Sequence, residues 1–252
     1  MEGAIQDEGE DEEGRLPPYP EKDGRSGPYH VARTAIDAGA AITLIPGAGY
    51  AIGQIVERFV AEPLQKRRDK WFTKVGEGLR DLQARLQDFD PSKLDENDDF
   101  ISAVAEATAA ATRTAKQEKI EALRNGVLNI AKGLQLDDVL RGIFFGYIER
   151  FSPAHIQVLK LLAAPSSSPE MRQKASQMMA GAQMSVLEAA LPASVISPGA
   201  LDRVLSDLHR EGLADTNSMM AMGTSGVFLA KRSTGIGDSF LQFIADPLPG
   251  QG

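Results

Sequence analysis

Cysteine is missing from the 252 residues, and its absence excludes a disulfide framework, a thiolate nucleophile and Cys-ligated zinc. Histidine is scarce: His30, His155 and His209 lie far apart in the chain. No GxSxG, GxxxxGK[ST] or HExxH phrase occurs, and the histidines and carboxylates show no metal-ligand spacing. These gaps argue against catalysis, so the sequence nominates no catalytic, cofactor-binding or metal-ligating residue. Basic character is missing from the N-terminus, which opens on acidic residues where a secretory or mitochondrial leader would carry positive charge before an apolar segment. The expected location is therefore the cytoplasm, with the inner membrane face as a peripheral alternative.

What charge there is sits unevenly. Residues 1–28 hold nine Asp and Glu against Arg15, Lys22 and Arg25, within a chain whose formal net charge is −8. Four prolines, like charges and few apolar side chains leave too little burial to offset the entropy of ordering, so this stretch reads as a disordered acidic arm.

Residues 35–71 are the most unusual stretch. Residues 38–55 carry no charge and run into the basic cluster Lys66, Arg67, Arg68 and Lys70, followed by Trp71. A phosphate-cradling glycine loop would need a parallel strand and an acidic residue downstream, but a Lys/Arg-rich helix comes next instead. The uncharged run reaches the ~18 residues of a membrane-spanning helix. Pro46 interrupts it, however, and Ala and Gly dominate it, and these partition weakly. The favoured reading is two helices joined by a bend at Pro46 and Gly47, packed closely through Gly49 and Gly53. The alternative is contact with an anionic membrane surface through the basic cluster, with Trp71 at the boundary.

Helical periodicity governs most of the chain from Trp71 onward. Trp71, Val75, Leu79, Leu82 and Leu86 mark one long amphipathic helix ending before Asp90–Pro91, with a bend expected at Gly76 and Gly78. Asp95 to Asp99 offer N-caps for an alanine-rich helix that breaks near Thr112–Arg113–Thr114. Ile120, Leu123, Val127, Ile130 and Leu134 form a narrow seam, and Leu136, Leu140, Ile143, Phe144, Tyr147, Ile148 and Phe151 form the richest apolar face, the expected centre of the core. Ser152–Pro153, Ser168–Pro169 and Ser197–Pro198 each read as an N-cap with proline at the first helical position. A Met-rich helix is expected from Met178 to Leu191, and Gly212 should close the helix that begins at Pro198. Met219 to Met222 and Val227 to Ala230, flanking Gly223 to Gly226, predict a β-hairpin before a last helix carrying Phe240, Leu241 and Ile244.

The fold class is thus mainly α. A helical bundle or hairpin domain over 29–151 is followed by an α+β domain with a small β-hairpin over 152–245, and a tail over 246–252. Within that second domain, "LxxLHREGL", a hairpin and "STGIGDSFLQFI" resemble the recognition helix, wing and trailing helix of bacterial winged-helix domains. Residues 29–245 as a whole resemble helical bacterial proteins of the abortive-infection alpha type, through "IPGAGYAIGQIVE", "EKIEALRNGVLNIAKG" and "FSPAHIQVLKLL". That resemblance implies a role in phage defence and transfers no catalytic residue. If the winged helix met DNA, Arg203, Arg210, Lys231 and Arg232 would be its contacts, yet the charges along 202–211 nearly cancel, which suits phosphate poorly. The expected function is therefore a non-enzymatic protein-interaction or regulatory one, with another protein or a second copy as partner. A membrane-acting effector and a DNA-binding regulator are the alternatives.

Overall fold

The computed structural model describes residues 62–191 and 196–248. The acidic arm, the uncharged run with its bend at Pro46, and both Gly49 and Gly53 lie outside the described residues.

The described chain is mainly helical with one two-stranded antiparallel sheet. The chain divides into two compact units, Met1–Leu136 with Pro247–Gly252, and Asp137–Asp246. In the first, α1 (Glu62–Arg85), α2 (Asp98–Arg113) and α3 (Gln117–Ala131) pack on one another. Helix α1 buries Trp71, Val75, Leu79 and Leu82, the stripe its periodicity marks. It runs unbroken through Gly76 and Gly78, and at Gly78 the reason is close packing. A Cβ there would fall 2.4 Å from Leu128 Cδ1 and 2.9 Å from an Arg124 guanidinium nitrogen, so α3 approaches α1 where a side chain is missing. Helix α2 buries Ala103, Ala107, Ala110 and Ala111, small residues that admit the same close approach. Asn97 caps α2 by accepting from Phe100 N at 2.9 Å, and Asp90 caps a 3₁₀ turn at Pro91–Lys93. Gly133, with φ +105°, comes after the end of α3 in a conformation that favours glycine.

The second unit holds α4 (Asp138–Arg150), α5 (Pro153–Ala163), a 3₁₀ turn at Pro165–Ser167, α6 (Pro169–Ser176), β1 (Ala180–Ala182), α7 (Gln183–Ala190), α8 (Pro198–Arg210), β2 (Met222–Thr224), a helical turn α9 (Ser225–Phe228) and α10 (Gly235–Phe243). Its core centres on Phe144, which is fully buried and sits 5.5 Å from each of the Phe240 and Phe243 ring centroids. Ile143, placed by periodicity on the same face, is 39% exposed instead. The serine–proline pairs open α5, α6 and α8 with serine as N-cap and proline in the first turn. Gly212 sits after α8 at φ +71°, its N–H bonded to His209 O at 2.9 Å.

Two local expectations need correction. Met178 to Leu191 do not make one helix: α6 ends at Ser176, Ala180–Ala182 are extended, and α7 starts at Gln183. Gly181 weakens a helix there, and pairing with a distant strand outweighs the helix preference of Ala180 and Ala182. The sheet is not formed by neighbouring strands either. Met222–Thr224 pairs with Ala180–Ala182 in the register Ala180↔Thr224, Gly181↔Gly223, Ala182↔Met222, while Ser225–Phe228 turns helical and buries Phe228.

Candidate functional site

Two elements of the second unit, α5 and α8, meet around one carboxylate. Asp207, on the third turn of α8, has a side chain 14% exposed. Arg203 and Arg210, one turn to either side, reach it at 3.2 and 2.8 Å. His155 in the first turn of α5 presents Nε2 to the same group at 3.4 Å. The other ring nitrogen, Nδ1, accepts the Ser152 N–H at 3.2 Å and lies 2.9 Å from Ser152 Oγ. Because that backbone N–H must find a lone pair, the proton belongs on Nε2, which then donates to Asp207. The imidazole also ends an aromatic stack: Tyr147 on Phe151 at 5.1 Å and 2°, Phe151 on His155 at 4.7 Å and 6°.

Ser152, His155 and Asp207 thus stand in the order of a nucleophilic triad. The serine hydroxyl, however, meets a lone pair already taken by its own backbone N–H, as in a capping box that starts a helix. The arrangement ties α5 to α8 and positions the helix start. Sequence reasoning missed it because 52 residues separate His155 from Asp207. The capping half, Ser at N-cap and His at N3, was visible as Ser152–Pro153–Ala154–His155.

Burial alone would push the Asp207 carboxyl up, but the bond from His155 and the charges of Arg203 and Arg210 hold it below the usual carboxylate value. A folded-state value below the unfolded one stabilises the fold above the ordinary carboxylate range, about 3.9, and that contribution is lost as pH falls through the folded value. Asp207→Asn should therefore lower the melting temperature at pH 6, and the gap to wild type should narrow progressively as the pH falls below the ordinary carboxylate range. A gap that stays constant as the pH is lowered would mean the carboxylate's charge contributes nothing. Close by, Tyr147 Oη donates to Glu211 O at 3.2 Å, and burial followed by the Glu211 charge pushes the phenol up. Arg150 grips Glu211 at 3.1 and 3.4 Å, joining the end of α4 to the end of α8.

These contacts place the nominated nucleic-acid residues. Arg203 and Arg210 are held by Asp207, and Lys231 is paired with Asp238. Arg232 donates to Gln183 Oε1 at 2.6 Å and Ser218 Oγ at 2.8 Å, while its own N–H bonds Leu162 O. Gln183, only 2% exposed, passes the link on to Ala230 O. All four cations have polar partners within the fold, while the side chains of Arg203, Arg210 and Lys231 remain 69%, 59% and 53% exposed.

In the first unit, the basic cluster is similarly divided. Lys66 pairs with Glu62 at 2.7 Å, Arg67 reaches Thr112 O at 3.4 Å, and Arg68 lies 5.6 Å over the Phe72 ring. Lys70 is exposed. Trp71 corrects the anchor reading: it is 1% exposed and its Nε1 donates to Thr108 Oγ1 at 2.9 Å, so the indole is a core group and unavailable to a headgroup layer. An open hollow of about 780 Å³ near the ends of α1 and α3 is lined by Arg85, Lys93 and Lys132 as well as Asp88 and Asp90, a mixture that selects no single ligand charge. Among the described residues no helix is long and apolar enough to cross a membrane, and no group of His, Asp and Glu could hold a metal ion.

Three methionines of the second unit stand out in water. Met179, Met220 and Met222 are 93%, 73% and 77% exposed: Met179 precedes β1, Met222 opens β2 and Met220 lies two residues before it, while Val227 of α9, 38% exposed, lies against Gly223. Compared with protein-family models, curated proteins and solved structures, the chain matches none.

Proposed function

We propose that this chain is a non-enzymatic protein-interaction module with a regulatory role, and that the methionine surface around the two-stranded sheet is where it binds. The observation that carries the reading is the exposure of Met179, Met220 and Met222 on a scaffold whose other large apolar groups in that unit are mostly buried. Apolar side chains left grouped in water mark interaction sites, and unbranched thioethers adapt to varied partner shapes. The partner is another protein or a second copy of the chain. A place in phage defence is part of the proposal, and it rests on the resemblance of residues 29–245 to the abortive-infection alpha type. The pairing of Arg203 and Arg210 with Asp207, Lys231 with Asp238 and Arg232 with Gln183 favours this reading over a DNA-binding one, since phosphate binding would have to compete with those partners. The membrane alternative uses residues 35–71, of which 35–61 lie outside the described residues.

The test is quantitative co-purification from the native host with wild type and a Met179→Glu, Met222→Glu double variant, their melting temperatures compared in parallel. Loss of specific partners at unchanged stability is expected. Recovery of the same proteins by both would remove the methionine surface as the binding site.

A further inference from the structure

Seven of the eight methionines fall between residues 171 and 222, and the structure sorts them into two layers. Met171, Met184 and Met219 are buried, at 0%, 6% and 1% exposure, and Met184 N bonds Met219 O at 3.0 Å. Met179, Met220 and Met222 form the outer layer, at 93%, 73% and 77%. Half-buried Met178 lies between, its Cε against Gly181 of β1, at the place a Cβ would occupy. In a chain without cysteine, methionine thioethers are the only side-chain sulfur available to an oxidant.

We infer that Met179, Met220 and Met222 form a reversible oxidation site through which peroxide switches the character of this surface. A thioether lone pair attacks the distal oxygen of a hydroperoxide, and an S–O bond forms as the O–O bond breaks. Sulfur loses two electrons, and the departing oxygen takes up the proton to leave as water or an alcohol. Each event turns an apolar side chain into a polar sulfoxide, which methionine sulfoxide reductases reverse. The layering gives the reaction its selectivity: the outer sulfurs meet the oxidant without any opening of the fold, while the inner sulfurs require local unfolding. Oxidation at the outer layer therefore changes the surface and spares the core. That this regulates binding rests on the interaction function proposed above; the site's chemistry does not.

The experiment treats the native full chain with hydrogen peroxide and maps added oxygen by peptide mass spectrometry. Met179, Met220 and Met222 should oxidise at least about ten times faster than Met171, Met184 and Met219. Far-UV circular dichroism should be unchanged, and retention on a phenyl matrix should fall. A triple variant with leucine at the three outer positions should be retained like unoxidised wild type and show no fall. Treatment with reductases acting on both sulfoxide epimers should restore retention. Equal rates in both layers, loss of structure after the first three oxygens, unchanged retention, or failure of the reductases would each overturn the proposal. If oxidation takes this course but the glutamate double variant keeps every partner, the interaction reading falls and the modification site stands.

Discussion

Phe144→Ala is expected to cost about 3 to 5 kcal/mol, the range for removing a large buried ring that its neighbours cannot replace. The ring is completely buried, and its centroid lies 5.5 Å from Phe240, 5.5 Å from Phe243 and 6.3 Å from Tyr147, so one truncation removes packing from three aromatic groups. Those groups come from α4 and α10, far apart in sequence, and collapse around the hole would require both helices to move together. Urea unfolding measures the effect as a shift in midpoint at unchanged slope. A loss below about 1 kcal/mol would show that this cluster is not the centre of the unit.

Gly237→Ala is the second large effect, and its sign is the informative part. Position 237 lies in the first turn of α10, where alanine should improve helix propensity by up to about 1 kcal/mol. Instead the added Cβ would come 2.1 Å from Leu213 O and 3.0 Å from Leu213 C, backbone atoms that have no rotamer to give way. Leu213 O also accepts the Thr234 N–H at 3.0 Å, so displacing it loosens the N-cap of the same helix. The substitution is expected to destabilise by ~1 to 3 kcal/mol through overpacking. Gly146→Ala in α4 is the control, because its Cβ meets nothing within 4 Å and propensity alone should act, raising stability. If both variants gain stability, the approach of α10 to Leu213 is wrong.

The parts of this fold that were legible in the sequence are those decided by near neighbours. Serine followed by proline starts a helix because the cap and the fixed φ act within one turn, and all three such pairs do so. The stripe of Trp71, Val75, Leu79 and Leu82 comes from 3.6-residue periodicity. What failed was settled by partners far along the chain. At its centre the strand Met222–Thr224 pairs Gly223 with Gly181, 42 residues earlier, which no local alternation announces. Gly78 read as a weak point in α1, yet it admits Leu128 and Arg124 of α3. Trp71, open to a boundary or a core reading from its neighbours, is settled as a core group by the Thr108 hydroxyl in α2, which accepts its N–H.

For the candidate site the division is the same. Arg203, Arg210, Lys231 and Arg232 were legible as the cations of the C-terminal unit, but their engagement depends on Asp207, Asp238 and Gln183 being brought up to them by the fold. The methionines were legible as a cluster, but core and surface roles share one composition. Only the tertiary structure divides Met184 and Met219 from Met220 and Met222.

The central claim is that the exposed methionine surface contacts a partner in the cell. A photo-crosslinking amino acid placed at Met222, with Asp202 on the exposed side of α8 as the comparison position, tests this directly in the native host. The account predicts a discrete crosslinked species from position 222, containing one defined protein or a second copy of this chain, and none from position 202. Equal or absent crosslinking at the two positions, with both variants folded, would contradict it.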